Sequence, residues 1–396
     1  MIFVVGFPGA VSGFGFDANH DRFIATLRGL PRLCEFVSPF SAVFRTDFGM
    51  PKYWMINDRD KGGTGTSPNT TTEGLTYWVT DKTPLNVIGN WTKVSASSFE
   101  TQLKGAADGF PAIPPGENED QSHVTILVHG YNVSFDHSAS FYENLCGRLF
   151  DGPNSLGLCI LYDWPSWGNI LGYEPDRARA RECAPDLTNI LSELFDWLVV
   201  KQADAINAVQ AQVKGQKPTT EPCKAKLSLI AHSMGNYLLQ MAMADAWTRK
   251  NQPLLVSLIN QLLMVAADVD NDLFDAGAPD NSNGSAIVNL TYRITALYSG
   301  RDDVLGASAG LKHFGTRRLG RSGLAHRPPL VTQPPQTDNV WDVDCSSFFP
   351  ASVSGIDIHG AYFVTDGTIE LIRQILRGVD RGVLSTTGQL TGKAWP

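Results

Sequence analysis

The chain has 396 residues, 43% of them hydrophobic and 18% charged, with a formal net charge of -8. That balance excludes a disordered chain, and no apolar run reaches the ~18–20 residues of a transmembrane helix. The acidic charge argues against nucleic acid or anionic lipid as the main partner.

Length permits one large domain or two smaller ones. The first 16 residues are apolar and uncharged and lack the basic segment of a signal peptide, leaving a cytoplasmic or a secreted location open. Six cysteines include no C-x-x-C pair, so no metal knuckle or redox motif is expected. Residues 1–50 mix Gly, Pro and aromatics, with one possible helix near His20–Leu30. Lys52–Asn57 and Leu75–Thr80 are rich in aromatic and β-branched residues and predict strands. Lys61–Gly74, between them, reads as a loop. Ser97–Ala107 predicts a helix, and the proline-rich Gly109–Gln121 a surface connection. These observations divide the chain into an N-terminal extension (1–120), with a few strands packed on the main domain, and a main domain (121–396).

From His123 a βαβ rhythm sets in. Val124–Val128, Leu158–Tyr162, Leu227–Ala231, Leu262–Ala267 and Arg293–Leu297 are short apolar runs of the kind buried parallel strands need. Helices are predicted over Phe135–Phe150, about Pro185 to Val213, Tyr237–Ala244 and Gly367–Arg377, with a weaker strand at Val340–Val343. Strands alternating with helices give an α/β fold, a mostly parallel twisted sheet with helices on both faces. Ligands bind such sheets at the carboxyl ends of the strands. His129-Gly130-Tyr131-Asn132, Asp163-Trp164-Pro165-Ser166, His232-Ser233-Met234-Gly235, Asp268-Val269-Asp270 and Gly300-Arg301-Asp302-Asp303 all follow apolar runs there.

Ser233 lies at the apex of a strand-to-helix turn flanked by the small residues Ala231 and Gly235. This is the context of a nucleophile elbow, where a serine faces the backbone N–H groups of a helix N-terminus. A serine nucleophile needs a base, and the base an orienting acid, in the chain order Ser, acid, His. Asp302 and Asp303 both follow a later strand and fit the acid; Asp268 and Asp270 would serve in a variant arrangement. His359, just before the last helix, fits the base. His313 and His326 lie in a Gly/Arg/Pro-rich loop and read as surface residues, as does the basic run Lys312 to Arg321. Gly130 allows a sharp turn that aims the Tyr131 N–H at the same point as the Met234 N–H, completing an oxyanion hole. His129 and His232 are expected to orient neighbours. Phe135, Tyr142, Trp164, Trp167 and Tyr173 are candidates to line an acyl or alcohol pocket. Asp268 to Pro279 lacks the Gly and Glu of an EF-hand loop, and no zinc-protease helix or phosphate loop occurs, so neither metal nor cofactor is expected.

These motifs resemble the alpha/beta-hydrolase superfamily. In particular, HGYN (His129–Asn132), W-P-S (Trp164–Ser166), A-H-S-M-G-N (Ala231–Asn236) and S-x-x-D-x-x-L (Ser299–Leu305) resemble a bacterial branch catalogued as alpha/beta hydrolases of unknown function. Tyr173–Asp176 and His359-Gly360 match further motifs of that branch. The resemblance covers about Val124 to Gly378 and favours Asp302 as the acid. It implies hydrolysis without naming a substrate. The expected activity is cleavage of a small-molecule or polymer ester, apolar or aromatic, through Ser233, His359 and Asp302. Amidase, peptidase or acyltransferase chemistry on the same residues, or a non-catalytic binding module, are the alternatives.

Overall fold

The computed structural model describes residues 51–69, 74–111, 122–167, 172–215, 225–250, 257–326 and 339–379. Contacts divide the chain into Met1–Gly49 and Met50–Pro396. The helix expected near His20–Leu30 lies outside the described residues, and every described element belongs to the second unit.

Among the described residues nine strands form one sheet: β1 (Tyr53–Asn57), β2 (Thr76–Thr80), β3 (Thr92–Val94), β4 (His123–Val128), β5 (Gly157–Asp163), β6 (Lys226–His232), β7 (Ile259–Val265), β8 (Thr291–Tyr298) and β9 (Val340–Asp344). Their order is β3-β2-β1-β5-β4-β6-β7-β8-β9. β2 runs antiparallel to β1 and β3, and every other neighbouring pair is parallel. A single turn, α1 (Asp60–Gly63), follows β1. The helices are α2 (Ala96–Asp108), α3 (Phe135–Leu149), α4 (Tyr173–Val213), α5 (Gly235–Lys250), α6 (Asn281–Leu290), α7 (Asp303–Ala307), α8 (Leu319–Ser322), α9 (Gly355–Ala361) and α10 (Asp366–Leu376). Among the described residues no helix is long and apolar enough to cross a membrane.

Because side chains alternate along a strand, a sheet covered on both sides needs two apolar sets. β6 supplies both: Leu227, Leu229 and Ala231 enter one core, while Ile230 enters the other. The first core is closed by Phe99 and Leu103 of α2, Leu187 and Leu191 of α4, Leu238 and Ala242 of α5, and Ile287 of α6. The second is closed by Ala139, Tyr142 and Leu145 of α3 and by Ile369, Ile372 and Ile375 of α10. Single-residue alternation in β6 therefore places the elbow strand in the middle of both layers.

One departure from the expected elements has a plain cause. α4 begins at Tyr173 and carries Pro185 inside it; proline costs a helix one N–H donor, and a full run of helix already precedes it. The segment Ile356–Gly360 lies within a short helix, α9, started by Ser354, whose hydroxyl accepts the Asp357 N–H. As for residues 51–111, β1 pairs directly with β5, Asn57 opposite Asp163. These strands extend the main sheet.

Candidate active site

The sheet's carboxyl edge gathers the polar segments. Ser233 follows β6 with φ of 52°, a left-handed conformation rare for a residue with a side chain and costly unless its surroundings enforce it. Here the surroundings do so. The Ser233 N–H donates to the Val265 carbonyl at 3.0 Å, and its carbonyl accepts the N–H of Asp268 at 3.2 Å and of Asn236 at 3.0 Å. The Asn236 amide adds donors to the Ala231 and Ser233 carbonyls at 2.9 and 3.2 Å. A Cβ on Gly235 would lie 2.4 Å from the His129 carbonyl oxygen, so only glycine lets α5 begin this close to β4. Beyond the turn, the Met234 N–H at the start of α5 has no backbone acceptor among the described residues.

Asp302 and His359 meet although a strand and two short helices of sequence separate them. One carboxylate oxygen of Asp302 accepts from His359 Nδ1 at 2.7 Å. The other accepts the Leu305 N–H at 2.9 Å, capping α7. Asp302 is fully buried, while the His359 side chain keeps 14% of its exposure. With the Nδ1 proton directed at a carboxylate, Nε2 carries the lone pair. Asp303 turns away, 64% exposed and 3.5 Å from Arg321. His232, the residue before the elbow serine, donates from Nε2 to the His359 carbonyl at 2.9 Å, and the two rings lie 4.8 Å apart. Burial, helped by His359, pushes the His232 imidazole down to about 3, so it remains a neutral tie between elbow and α9.

On the β4 side, Gly130 approaches the elbow so closely that a Cβ there would come within 2.7 Å of Ser233 Cβ. The peptide leading into Tyr131 thus lies against the serine. His129 is buried, stacks on Trp164 with ring centroids 5.3 Å apart, and contacts Asp163 at 3.0 Å.

The aromatic residues expected to line a pocket divide. Phe135 and Tyr142 are buried beneath α3. The Tyr142 hydroxyl donates to the Cys159 carbonyl at 2.6 Å and accepts the Trp54 N–H, so its ring is core and offers no face to a substrate. Trp164 is likewise buried, its indole N–H on the His129 carbonyl. Trp167 is 44% exposed, with the Arg179 guanidinium over its ring. Tyr173 packs edge-on against Tyr131, its hydroxyl 2.8 Å from an Asp268 oxygen and 2.6 Å from His313 Nε2. Phe135, Tyr142 and Trp164 are thus packed in the core, while Trp167 keeps an exposed face. Phe141 and Phe363, which that reading passed over, sit 4.7 Å apart and both contact the His232 ring. Neither had a motif to mark it.

The loop at 312–321 also differs from the solvated run expected. Arg318 is buried and paired with both Asp268 and Asp270. Arg318 outweighs the burial that would otherwise raise Asp268, and holds its carboxyl below the ordinary range. These two acids serve that ion pair, and Asp268 also anchors Tyr173 and Ser308. His313 is only partly exposed and bonded to Tyr173, whereas His326 is an exposed partner of Asp275.

A family model described as "Alpha/beta hydrolase of unknown function (DUF900)" matches residues 116–206 and 203–348, over half of the chain. The chain belongs to this family. Alpha/beta-hydrolase membership accounts for the sheet order and the strand–turn–helix at Ser233. An uncharacterized protein of Nostoc sp. is 26% identical over 144 residues, covering 31% of this chain and 31% of the relative; the matched region thus spans about a third of that relative's length. Among solved structures, carboxyl esterase 2 of the mycorrhizal fungus Tuber melanosporum gives a TM-score of 0.30 at 13% identity, covering 65% of this chain and 79% of that one. Est1E of Butyrivibrio proteoclasticus gives 0.27 at 15%, covering 65% and 89%.

Proposed function

We propose that the protein is a serine hydrolase that cleaves carboxylic esters through Ser233, His359 and Asp302. The observation that carries the reading is the Asp302–His359 hydrogen bond of 2.7 Å, tied through His232 to a serine held at positive φ. In the proposed reaction His359 Nε2 takes the Ser233 proton as the oxygen attacks the ester carbonyl. The Tyr131 and Met234 N–H groups receive the developing oxyanion. Collapse of the tetrahedral intermediate breaks the ester C–O bond, and His359 returns the proton to the departing alcohol. Water, deprotonated by His359, then attacks the acyl-enzyme and releases the acid and Ser233. Asp302 keeps the imidazole in the tautomer this cycle requires and balances its charge when protonated. The partly exposed rings of Phe141, against His232, and of Tyr131, against Tyr173, support an apolar or aromatic acyl or alcohol group.

The test is hydrolysis of p-nitrophenyl esters from acetate to palmitate, with labelling by a fluorophosphonate probe, for wild type and Ser233→Ala. Turnover and labelling by wild type alone are expected. Labelling without ester turnover would move the substrate to another acyl class. Folded wild type that does neither would overturn the enzyme reading.

A further inference from the structure

Arg59 lies just past the end of β1, outside the segment that carries the hydrolase motifs, yet it is among the largest fully buried side chains of the described protein. Its guanidinium grips Asp163 with two prongs, Nε to one carboxylate oxygen at 2.8 Å and Nη2 to the other at 3.1 Å. The remaining N–H groups donate to the carbonyls of Val133 at 2.9 Å, Ser166 at 3.1 Å and Gly65 at 3.3 Å. One side chain therefore ties together the loop after β4, the loop after β5 and the loop after α1. Burial would raise the Asp163 carboxyl, but Arg59 and then His129 outweigh it and hold it at about 2. Asp163 stays an anion.

That anion also lies 3.0 Å from His129 Nε2 and accepts from the Ser138 hydroxyl at 2.7 Å, and Arg59 Nη2 itself reaches the same His129 nitrogen at 3.4 Å, a donor that Nε2 accepts when the imidazole proton is on Nδ1. Held between Asp163 and the Trp164 ring, the His129 imidazole presents Nδ1 to the Gly130 carbonyl oxygen at 2.9 Å. The peptide bond turns this contact into a direction. In a trans peptide the C=O of one residue and the N–H of the next are coplanar and point opposite ways. Fixing the Gly130 carbonyl against His129 therefore fixes where the Tyr131 N–H points.

We infer that Arg59 is a positioning residue for the oxyanion hole, acting through Asp163, His129 and the Gly130 carbonyl to set the direction of the Tyr131 N–H. The inference deepens, and rests on, the serine-hydrolase reading above. It gives residues 51–69 a part in catalysis. Lysine cannot replace the two-pronged grip, because a point-charge ammonium lacks the planar fork of guanidinium.

The experiment compares wild type, Arg59→Lys and Arg59→Met on p-nitrophenyl butyrate, with inhibition by an alkyl trifluoromethyl ketone, whose hemiketal oxyanion occupies the same hole. Removing one oxyanion donor outright costs about 10²–10³ in kcat; a donor left in place but misdirected should cost about 10–100-fold. Arg59→Met is expected to lose that factor in kcat with KM within about threefold, and to bind the ketone more weakly by a similar factor. Arg59→Lys should fall between. A role in folding alone would not make ketone affinity track kcat. Hydrogen exchange of the amides at 130–134 supplies a readout independent of turnover, with the amides of α10 as the reference. Exchange at 130–134 should quicken at least tenfold in Arg59→Met while α10 is unchanged. Unchanged kcat or ketone affinity in a folded Arg59→Met would overturn the inference. So would equal exchange at 130–134, even if wild type proved to have no esterase activity; in that event quickened exchange would sustain the loop-positioning link while the hydrolase reading failed. If Arg59→Met does not fold, Arg59→Lys decides by the same criteria.

Discussion

Asp302 divides its carboxylate between two tasks, one oxygen on His359 Nδ1 at 2.7 Å and the other on the Leu305 N–H at 2.9 Å. The same side chain that would orient the base also starts α7, so the geometry of the acid is set by a helix cap and not by a free rotamer. Asp302→Asn can keep the cap through its amide oxygen while turning an N–H toward His359, which favours the wrong imidazole tautomer. We expect kcat to fall by about 10³–10⁴, as loss of a triad carboxylate does elsewhere, with thermal stability little changed. Asp303→Asn should leave kcat within a few-fold. Steady-state kinetics on the two variants decides, and a larger loss at Asp303 would reverse the assignment.

Gly130→Ala tests the approach of the β4 loop to the elbow. The added methyl would sit 2.7 Å from Ser233 Cβ and 3.1 Å from His232 Nδ1, so backbone must move on one side or the other. Activity should drop at least about 10²-fold, the scale of one lost oxyanion donor, in a protein that still unfolds cooperatively. Near-wild-type kcat in this variant would mean that the loop has slack the structure does not show.

His123 gives a pH dependence of known sign. It is buried with Nδ1 on the Ser228 hydroxyl at 2.7 Å and Nε2 without a partner, and burial pushes its imidazole down to about 3. The unfolded chain titrates near 6.5. Between these values the unfolded state binds more protons, so stability is full above about pH 6.5 and is lost as pH falls toward 3. The contribution is at most about 1.4 kcal/mol per pH unit. Urea midpoints measured from pH 7 to 4 should fall less steeply for His123→Asn than for wild type; parallel curves would refute this.

Asp58 has the opposite sign. One of its oxygens lacks a hydrogen-bond partner and the other meets the Tyr162 hydroxyl at 3.3 Å. Burial raises the carboxyl to about 7, against about 3.9 in an unfolded chain. Folding therefore favours the protonated acid, and stability is lost as pH rises from about 4 through 7. Asp58→Asn, which mimics the neutral form, should stabilise the protein by about 2 kcal/mol at pH 8 and hardly at all at pH 4. Chemical denaturation at the two pH values checks it.

How legible each residue is in the sequence depends on how local its signal is. The strand–turn–helix at Ser233 is legible because an apolar strand, a small-residue turn and a helix stand side by side in one short stretch. His359 and the Asp302/Asp303 alternative are candidates from chain order, since parallel sheets return each strand end to the same edge. What separates the two acids, the contact of Asp302 with His359, is a matter of side-chain direction that the sequence does not carry. Arg59 gave no signal: its carboxylate partner is 104 residues away and nothing in Asn57-Asp58-Arg59-Asp60 separates a buried arginine from a surface one. Arg318 misled for the same reason, as a basic run reads as solvated until Asp268 is brought beneath it. That β1 pairs with β5 is not carried by composition, because pairing between distant strands leaves no local signal.

The seating of β1 against β5 has a practical consequence for dissection of this protein. A fragment beginning at His123 would retain Ser233, Asp302 and His359, and would look complete by its motifs. It would also leave the outer rim of β5 with bare N–H and C=O groups, a surface that recruits other chains, and strip Asp163 of its guanidinium while keeping it in the interior. Such a fragment should clump during expression and refold poorly.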